Sequence, residues 1–149
     1  MTPRPPSITN LDSIPSPALL VFVERVQSNI EAALALVDGK PDRLCPHFKT
    51  SKSPAVAGML LRAGVRRFKC ATLKEAEVLA EAGAPDVLVA MQPVGPAPKL
   101  LQGLRRRFPE TTFSTLADNP ATIERLSTVF SGTSGNAPET RRPTAGDDR

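Results

Sequence analysis

The chain has 149 residues, of which 40% are hydrophobic, and this is enough for one domain with its own core. Its formal net charge is +4, but the basic residues are spread along the chain, a pattern that does not favour a nucleic-acid partner. Two cysteines and one histidine are too few for a disulfide framework or for a tetrahedral metal site.

The amino-terminal part of the chain predicts one strand and one helix. The apolar residues 17–23 have the length of a strand and are too few for a secretory signal or a membrane span. We therefore expect a cytoplasmic protein without a membrane partner. From Glu24 onward, apolar residues at helical spacing predict a helix that ends at Gly39, because glycine adopts the left-handed conformation of a helix end at little cost.

Residues 44–52, with the sequence LCPHFKTSK, predict a short strand, a turn and the start of a helix. Side chains alternate across a strand, so Cys45, His47 and Lys49 should share one face. In α/β proteins the catalytic residues gather at the carboxyl ends of strands. A partly desolvated lysine there loses its proton more readily, which makes Lys49 a candidate Schiff-base residue. The alternative is a solvated loop lysine beside a core histidine.

The chain then alternates between helices and strands at intervals of about twenty residues. Two of the helices end in the same pattern, Leu-x-x-Ala-Gly, at Gly64 and Gly83. The predicted helices are 53–64, 73–82, 98–108 and 120–130, and the strands between them are 66–71, 86–91 and 111–116. Together with the segment that carries Lys49, these predict an α/β fold with about four βα units of a TIM-type (β/α) barrel. Cys45 and Cys70 lie in predicted core strands, so we expect both thiols to be free and buried.

Residues 131–149 contain no valine, isoleucine, leucine, methionine or aromatic residue. Such a segment buries too little apolar surface to offset the entropy lost on ordering, so we expect a disordered tail. The predicted organisation is therefore a partial barrel at residues 1–130 and a tail at residues 131–149. A complete barrel has about 250 residues, so the chain has the elements of half of one.

Two motifs stand out, LxPHxKTxK at residues 44–52 and CATLKEAEVLAEAG at residues 70–83. Together with residues 10–19, NLDSIPSPAL, they resemble the D-threonine aldolase and D-serine dehydratase family. The family consists of pyridoxal-phosphate enzymes with the alanine racemase-like barrel of fold type III. The similarity extends from about Ile8 to Phe130, and it implies a lyase that acts on D-amino acids.

The resemblance implies that Lys49 is the catalytic lysine and binds pyridoxal phosphate covalently as a Schiff base. It also implies that His47 lies near the cofactor ring. Lys52 also matches a lysine position of the family, which leaves two interpretations. It is either a functional residue or simply an exposed lysine in the first turn of the helix. Thr72 and Gln92 follow strands and are candidates by position only, since such residues are more often structural.

The chain departs from the family at several points. The family usually has arginine at the position of Cys45. It usually has histidine at the position of Ser51, directly before Lys52. The first change removes a cation from the face of Lys49, and a nearby cation favours the neutral form of an amine. The family's second half-barrel supplies most of the phosphate-binding loops. Its carboxy-terminal β-domain supplies the His and Cys ligands of a divalent metal, and both parts are missing from this sequence.

We therefore expect an amino-terminal fragment of a lyase, a truncated or frameshifted product with little or no activity. Its intact form would act on a small D-amino acid, either by cleaving a D-3-hydroxy amino acid or by dehydrating D-serine. The alternative is a non-catalytic module that binds pyridoxal phosphate, or two half-barrels that pair as a homodimer. The open strand edges of a half-barrel favour such pairing.

Overall fold

The computed structural model describes residues 7–131, and within them helices and parallel strands alternate along the chain. The elements are α1 Val23–Leu36, α2 Pro54–Arg62, β1 Arg67–Cys70, α3 Leu73–Glu81, β2 Asp86–Val89, α4 Ala97–Arg107, β3 Thr112–Thr115 and α5 Pro120–Ser131. The strands form one parallel sheet in the order β1-β2-β3. This confirms the predicted α/β class. The prediction of a disordered tail falls on residues outside the described range, except for Ser131.

The first predicted strand is reduced to a single bridge. His47 pairs in parallel with Lys69 of β1. The Phe48 N–H donates to the Lys69 carbonyl at 2.7 Å, and the Lys69 N–H donates to the Pro46 carbonyl at 3.0 Å. The pairing goes no further because the chain turns directly after Phe48. The four predicted βα units therefore contribute three regular strands and one bridge.

The prediction of a strand at residues 17–23 is wrong. Residues 17–22 have no strand structure, and Val23 already begins α1. Leu19 and Val21 are 87% and 52% exposed. A strand needs a hydrogen-bonded neighbour, and within residues 7–131 none lies beside this segment. The helix predicted after it is present as α1, but it ends at Leu36, and Gly39, at a φ of 68°, lies in the turn that follows.

One face of the sheet carries the core. Phe68 and Cys70 of β1 and Val87 and Val89 of β2 alternate towards this face and are buried. They pack with apolar residues of the helices and of the bridge segment, chiefly Phe48, Ala57, Ala76, Leu79 and Leu101. Phe48 is buried and the neighbouring His47 is partly exposed, but the predicted strand face does not extend to Lys49, which already lies in the turn.

The opposite face of the sheet carries a row of four residues in register: His47, Lys69, Leu88 and Ser114. None of the four is fully buried. In a closed barrel this face points to the interior. In the described residues the packed core therefore lies between the helices and the other face of the sheet.

Local signals in the sequence determine where the helices begin and end. Thr72 Oγ1 accepts a hydrogen bond from the Glu75 N–H at 3.1 Å, and Asn119 Oδ1 accepts one from the Thr122 N–H at 3.0 Å. The repeated Leu-x-x-Ala-Gly pattern ends α2 and α3, with Gly64 at a φ of 90° and Gly83 at 87°. A β carbon at Gly64 would also lie 3.0 Å from Pro41 Cγ, so glycine is required there on two grounds.

Replacing Thr72 by alanine is expected to lower the free energy of unfolding by about 1 kcal/mol, because the cap of α3 is lost. Urea denaturation followed by circular dichroism measures the change. Thr128→Ala is the matched control, since the Thr128 hydroxyl only bonds back to the Glu124 carbonyl in the same helix. Equal losses in the two variants would contradict a capping role for Thr72.

Candidate active site at the carboxyl edge of the sheet

The predicted site residues lie along one edge of the sheet. The turn at residues 49–52 follows the His47 bridge, and Thr72 follows β1. Gln92 and Leu116 come shortly after β2 and β3. Because the strands are parallel, all these positions lie at the carboxyl edge, where α/β proteins bind ligands.

The His47 ring and the Lys49 backbone are joined directly. The Lys49 N–H donates to His47 Nδ1 at 3.2 Å, and the Thr50 hydroxyl donates to the His47 carbonyl at 3.2 Å. Burial, followed by the positive charges of Lys49 and Lys69, lowers the pKa of His47, although Glu75 opposes this. The lowered pKa favours the neutral ring, and in that form the proton is on Nε2 because Nδ1 accepts the Lys49 N–H.

Lys49 lies in the turn after the His47 bridge, and its side chain is exposed. Within residues 7–131 its Nζ atom has neither a hydrogen bond nor an ion pair. An amine without a partner is available to react with an aldehyde or to bind an anion. Lys49 is thus a solvated lysine of the turn and is not partly desolvated as the sequence argument required, and its role as the Schiff-base lysine stays a prediction.

A buried carboxylate, Glu75, for which the sequence predicts no functional role, lies beside the same turn. It is 5% exposed, and its Oε2 accepts a hydrogen bond from the Ala71 N–H at 2.8 Å. Its Oε1 lies 3.4 Å from Lys52 Nζ. The spacing Thr72-x-x-Glu75 is that of a capping box, so the sequence alone could have predicted that the Glu75 carboxylate bonds to a backbone N–H at the start of α3. The contact between Glu75 and Lys52 could not be predicted, because the two residues are distant along the chain.

Glu75 is expected to make folding more stable above about pH 5 than below it. Burial alone would raise the pKa of its carboxyl, but the Ala71 N–H and the Lys52 ammonium outweigh burial and lower the pKa below the ordinary 4.5. A lowered folded-state pKa stabilises the fold above the unfolded value, and this contribution is lost as the pH falls through the folded value. Urea denaturation across acid pH should therefore show a smaller loss for Glu75→Gln than for the wild type. Parallel pH curves would contradict this.

The side chains of Thr72 and Gln92 both bond within the fold, in agreement with the expectation that these two residues are structural. Thr72 caps α3. The Gln92 side-chain amide lies 2.8 Å from Thr122 Oγ1, and with its oxygen towards this hydroxyl its nitrogen faces the Asp118 carboxylate. Gln92 thus connects the end of β2 to the start of α5.

The prediction that both thiols are buried is wrong for Cys45. Both cysteines are free, but Cys45 is exposed and Cys70 is buried. Burial, with a smaller contribution from Glu75, raises the pKa of the Cys70 thiol to about 12. Desolvation also raises the pKa of Cys45, while the charge of Arg67 opposes this. Cys45 is exposed because the strand that should have enclosed it is a single bridge.

A thiol reagent at about pH 8 is expected to modify Cys45 in the folded chain and to leave Cys70 unmodified, since the thiolate is the reactive form. Iodoacetamide labelling with peptide mapping measures this. In urea both thiols should react, and Cys45→Ser should leave no reactive thiol in the folded chain. Rapid labelling of Cys70 without denaturant would contradict the described packing.

Within residues 7–131 no three His, Cys, Asp or Glu side chains are grouped to hold a metal ion. Over the same range, no helix combines the length and the apolar character needed to cross a membrane.

Comparisons with known proteins identify relatives that match most of this chain. No family model matches the chain. The chain is 35% identical over 115 residues to D-threo-3-hydroxyaspartate dehydratase from Delftia sp. (strain HT23), covering 76% of this chain and 30% of that protein. It is 29% identical over 117 residues to D-threonine aldolase from Arthrobacter sp., covering 78% of this chain and 30% of the relative.

The crystal structure of D-threonine aldolase from Filomicrobium marinum superimposes with a TM-score of 0.70 at 28% identity. The match covers 79% of this chain and 31% of that structure. The chain therefore spans less than a third of the length of the relatives it matches. Its fold corresponds to part of their barrel, which confirms the predicted partial (β/α) barrel. The chain is thus a homologue of part of the D-threonine aldolases and of D-threo-3-hydroxyaspartate dehydratase, as its motifs indicated.

Proposed function

We propose that the chain supplies the cofactor-anchoring lysine of a pyridoxal-phosphate-dependent lyase that acts on D-3-hydroxy amino acids. Lys49 carries the proposal, because it is an exposed amine in the turn after the His47 bridge, at the carboxyl edge of a parallel sheet, and its N–H bonds to the His47 ring. The names of the two relatives support the substrate class, since each contains a D-amino acid with a hydroxyl on its β carbon. Either aldol cleavage or dehydration fits this class.

The described residues fit such a cofactor in charge and in chemistry. Pyridoxal phosphate is an anionic aldehyde, and the edge around the His47 bridge carries Lys49, Lys52 and Lys69. Lys49 would hold the cofactor through Nζ, and the Nε2–H of His47 would be a hydrogen-bond donor beside it. When bound, the cofactor accepts the electron pair of the bond that breaks in the substrate.

We expect the 149-residue chain alone to have little or no lyase activity. It spans about 30% of each relative. Lys69, Leu88 and Ser114 lie on a sheet face that no helix of residues 7–131 covers, so water would reach a cofactor bound there. Lyases of this kind depend on a closed site that excludes water.

The proposal is tested by incubating the purified chain with pyridoxal phosphate, recording visible absorbance, reducing with borohydride and mapping the modified peptide. We expect modification at Lys49 well above that of Lys99, an exposed lysine on α4 that reports the background reactivity of a surface amine. Modification centred on Lys52, or modification of Lys49 no greater than that of Lys99, would overturn the assignment.

The open sheet face supports a second candidate, a non-catalytic module in which two copies pair through their half-barrels. Met91 and Leu116 near the carboxyl edge are 58% and 47% exposed. In the described residues β3 has β2 as its one strand neighbour, so its other edge is available for pairing. Sedimentation of a stable dimer that binds pyridoxal phosphate without lyase activity would favour this candidate, and a monomer would exclude it.

A further inference from the structure

The turn after the His47 bridge contains two lysines that differ in their surroundings. The Lys49 ammonium has no hydrogen bond or ion pair within residues 7–131, whereas Lys52 Nζ lies 3.4 Å from the Glu75 carboxylate. Lys52 is itself 65% exposed at its side chain, so exposure alone would leave it open to reagents. The contact with Glu75 is what distinguishes the two amines.

The backbone of Lys52 adopts an uncommon conformation within this turn. Lys52 has a φ of 47°, in the left-handed region that a lysine seldom adopts. Its N–H donates to the Phe48 carbonyl at 2.9 Å, which closes the turn that contains Lys49. The turn and the ion pair together direct the Lys52 side chain towards the start of α3.

The Glu75 carboxylate uses one oxygen for a backbone hydrogen bond and the other for an ion pair. One oxygen is already satisfied by the Ala71 N–H, and the cap of α3 comes from Thr72. The second oxygen faces Lys52, and the charge of Glu75 also acts on His47 and on the Cys70 thiol. A carboxylate buried to this degree without a cation would be unfavourable, so its negative charge and Lys52 are coupled.

We propose that Glu75 is a positioning residue that holds the Lys52 ammonium in an ion pair and so leaves Lys49 as the aldehyde-reactive amine of this turn. The inference deepens the proposed function, on which it rests in taking pyridoxal phosphate as the natural aldehyde. Glu75 acts through Lys52 and does not itself touch the reacting atoms.

The relative reactivity of the two lysines tests this without any cofactor. Limited reductive methylation with formaldehyde and cyanoborohydride is suitable, since the amine adds to the carbonyl, water leaves, and the hydride donor reduces the C=N bond. Chymotryptic cleavage after Phe48 places both lysines in one peptide, and fragmentation in the mass spectrometer locates the methyl groups. The measured quantity is the ratio of methylation at Lys49 to methylation at Lys52.

In the wild type we expect the ratio to exceed one. In Glu75→Gln, which keeps an acceptor for the Ala71 N–H, we expect the ratio to fall by about 1.5-fold to fivefold, the effect of losing an ion pair with one exposed partner. Glu77→Gln is the matched control. Glu77 lies on the same helix and pairs with Lys74 and Arg107, so its loss should leave the ratio unchanged.

A second measurement needs no variant, in case Glu75→Gln does not fold. Raising the salt concentration screens an ion pair that is partly exposed, so Lys52 methylation in the wild type should rise relative to Lys99. An unchanged ratio in a folded Glu75→Gln protein, or no effect of salt on Lys52, would overturn the proposal. Failure of pyridoxal phosphate to modify Lys49 would count against the proposed function only, because formaldehyde needs no cofactor site.

Discussion

Replacing Lys49 by methionine is expected to abolish the borohydride-stable modification by pyridoxal phosphate at the carboxyl edge. Methionine keeps the length and flexibility of the side chain and removes the amine. The Lys49 side chain makes no hydrogen bond or ion pair within residues 7–131, so its loss should not disturb the fold. The Lys49 N–H still donates to His47 in the variant, because that bond uses the backbone. Peptide mapping after reduction measures the effect.

Lys52→Met is the control for this experiment. It removes a neighbouring amine from the same turn and should leave the modification of Lys49 in place. If Lys52→Met abolishes the modification while Lys49→Met retains it, the assignment of the anchoring lysine is reversed. Equal retention in both variants would show that the cofactor reacts with surface lysines in general.

Replacing Leu79 by alanine is expected to lower the free energy of unfolding by about 2–5 kcal/mol, the cost of a cavity in a packed core. Leu79 is completely buried on α3 and packs in the cluster that joins the helices to β1 and β2. A loss of this size is a large part of the stability of a small domain. Urea denaturation measures it, with thermal unfolding as a second measurement.

Leu100→Ala is the matched control for core packing. Leu100 lies on α4 and is 58% exposed, so the same chemical change should alter stability by less than about 0.5 kcal/mol. A loss for Leu79→Ala as small as that of the control would mean that the helices do not pack on the sheet as described.

The order of helices and strands after Lys52 could be predicted from the sequence because its signals are local. Ser53 and Thr72 begin helices by accepting hydrogen bonds from N–H groups three residues later. Gly64 and Gly83 end helices through their left-handed backbone. Each of these signals acts within one turn of the chain, so no knowledge of the tertiary structure was needed.

The errors concern residues whose state depends on partners elsewhere. Residues 17–23 have the composition of a strand, but a strand forms only beside another strand, and the described residues provide none there. Cys45 was expected to be buried like Cys70, but the chain pairs with β1 at His47 alone and leaves Cys45 exposed. Apolar composition shows which residues favour burial and does not show whether a neighbour covers them.

The sequence by itself determined the α/β class, the sites of helix capping and the placement of Lys49 after a strand-like segment. These features depend on alternation, spacing and residue type over a few positions. Only the tertiary structure decided which of the two lysines in the turn stays open. That distinction comes from Glu75, which α3 brings to Lys52 after the chain has passed through α2 and β1. Such a contact depends on how the elements pack against one another, and no local pattern encodes it.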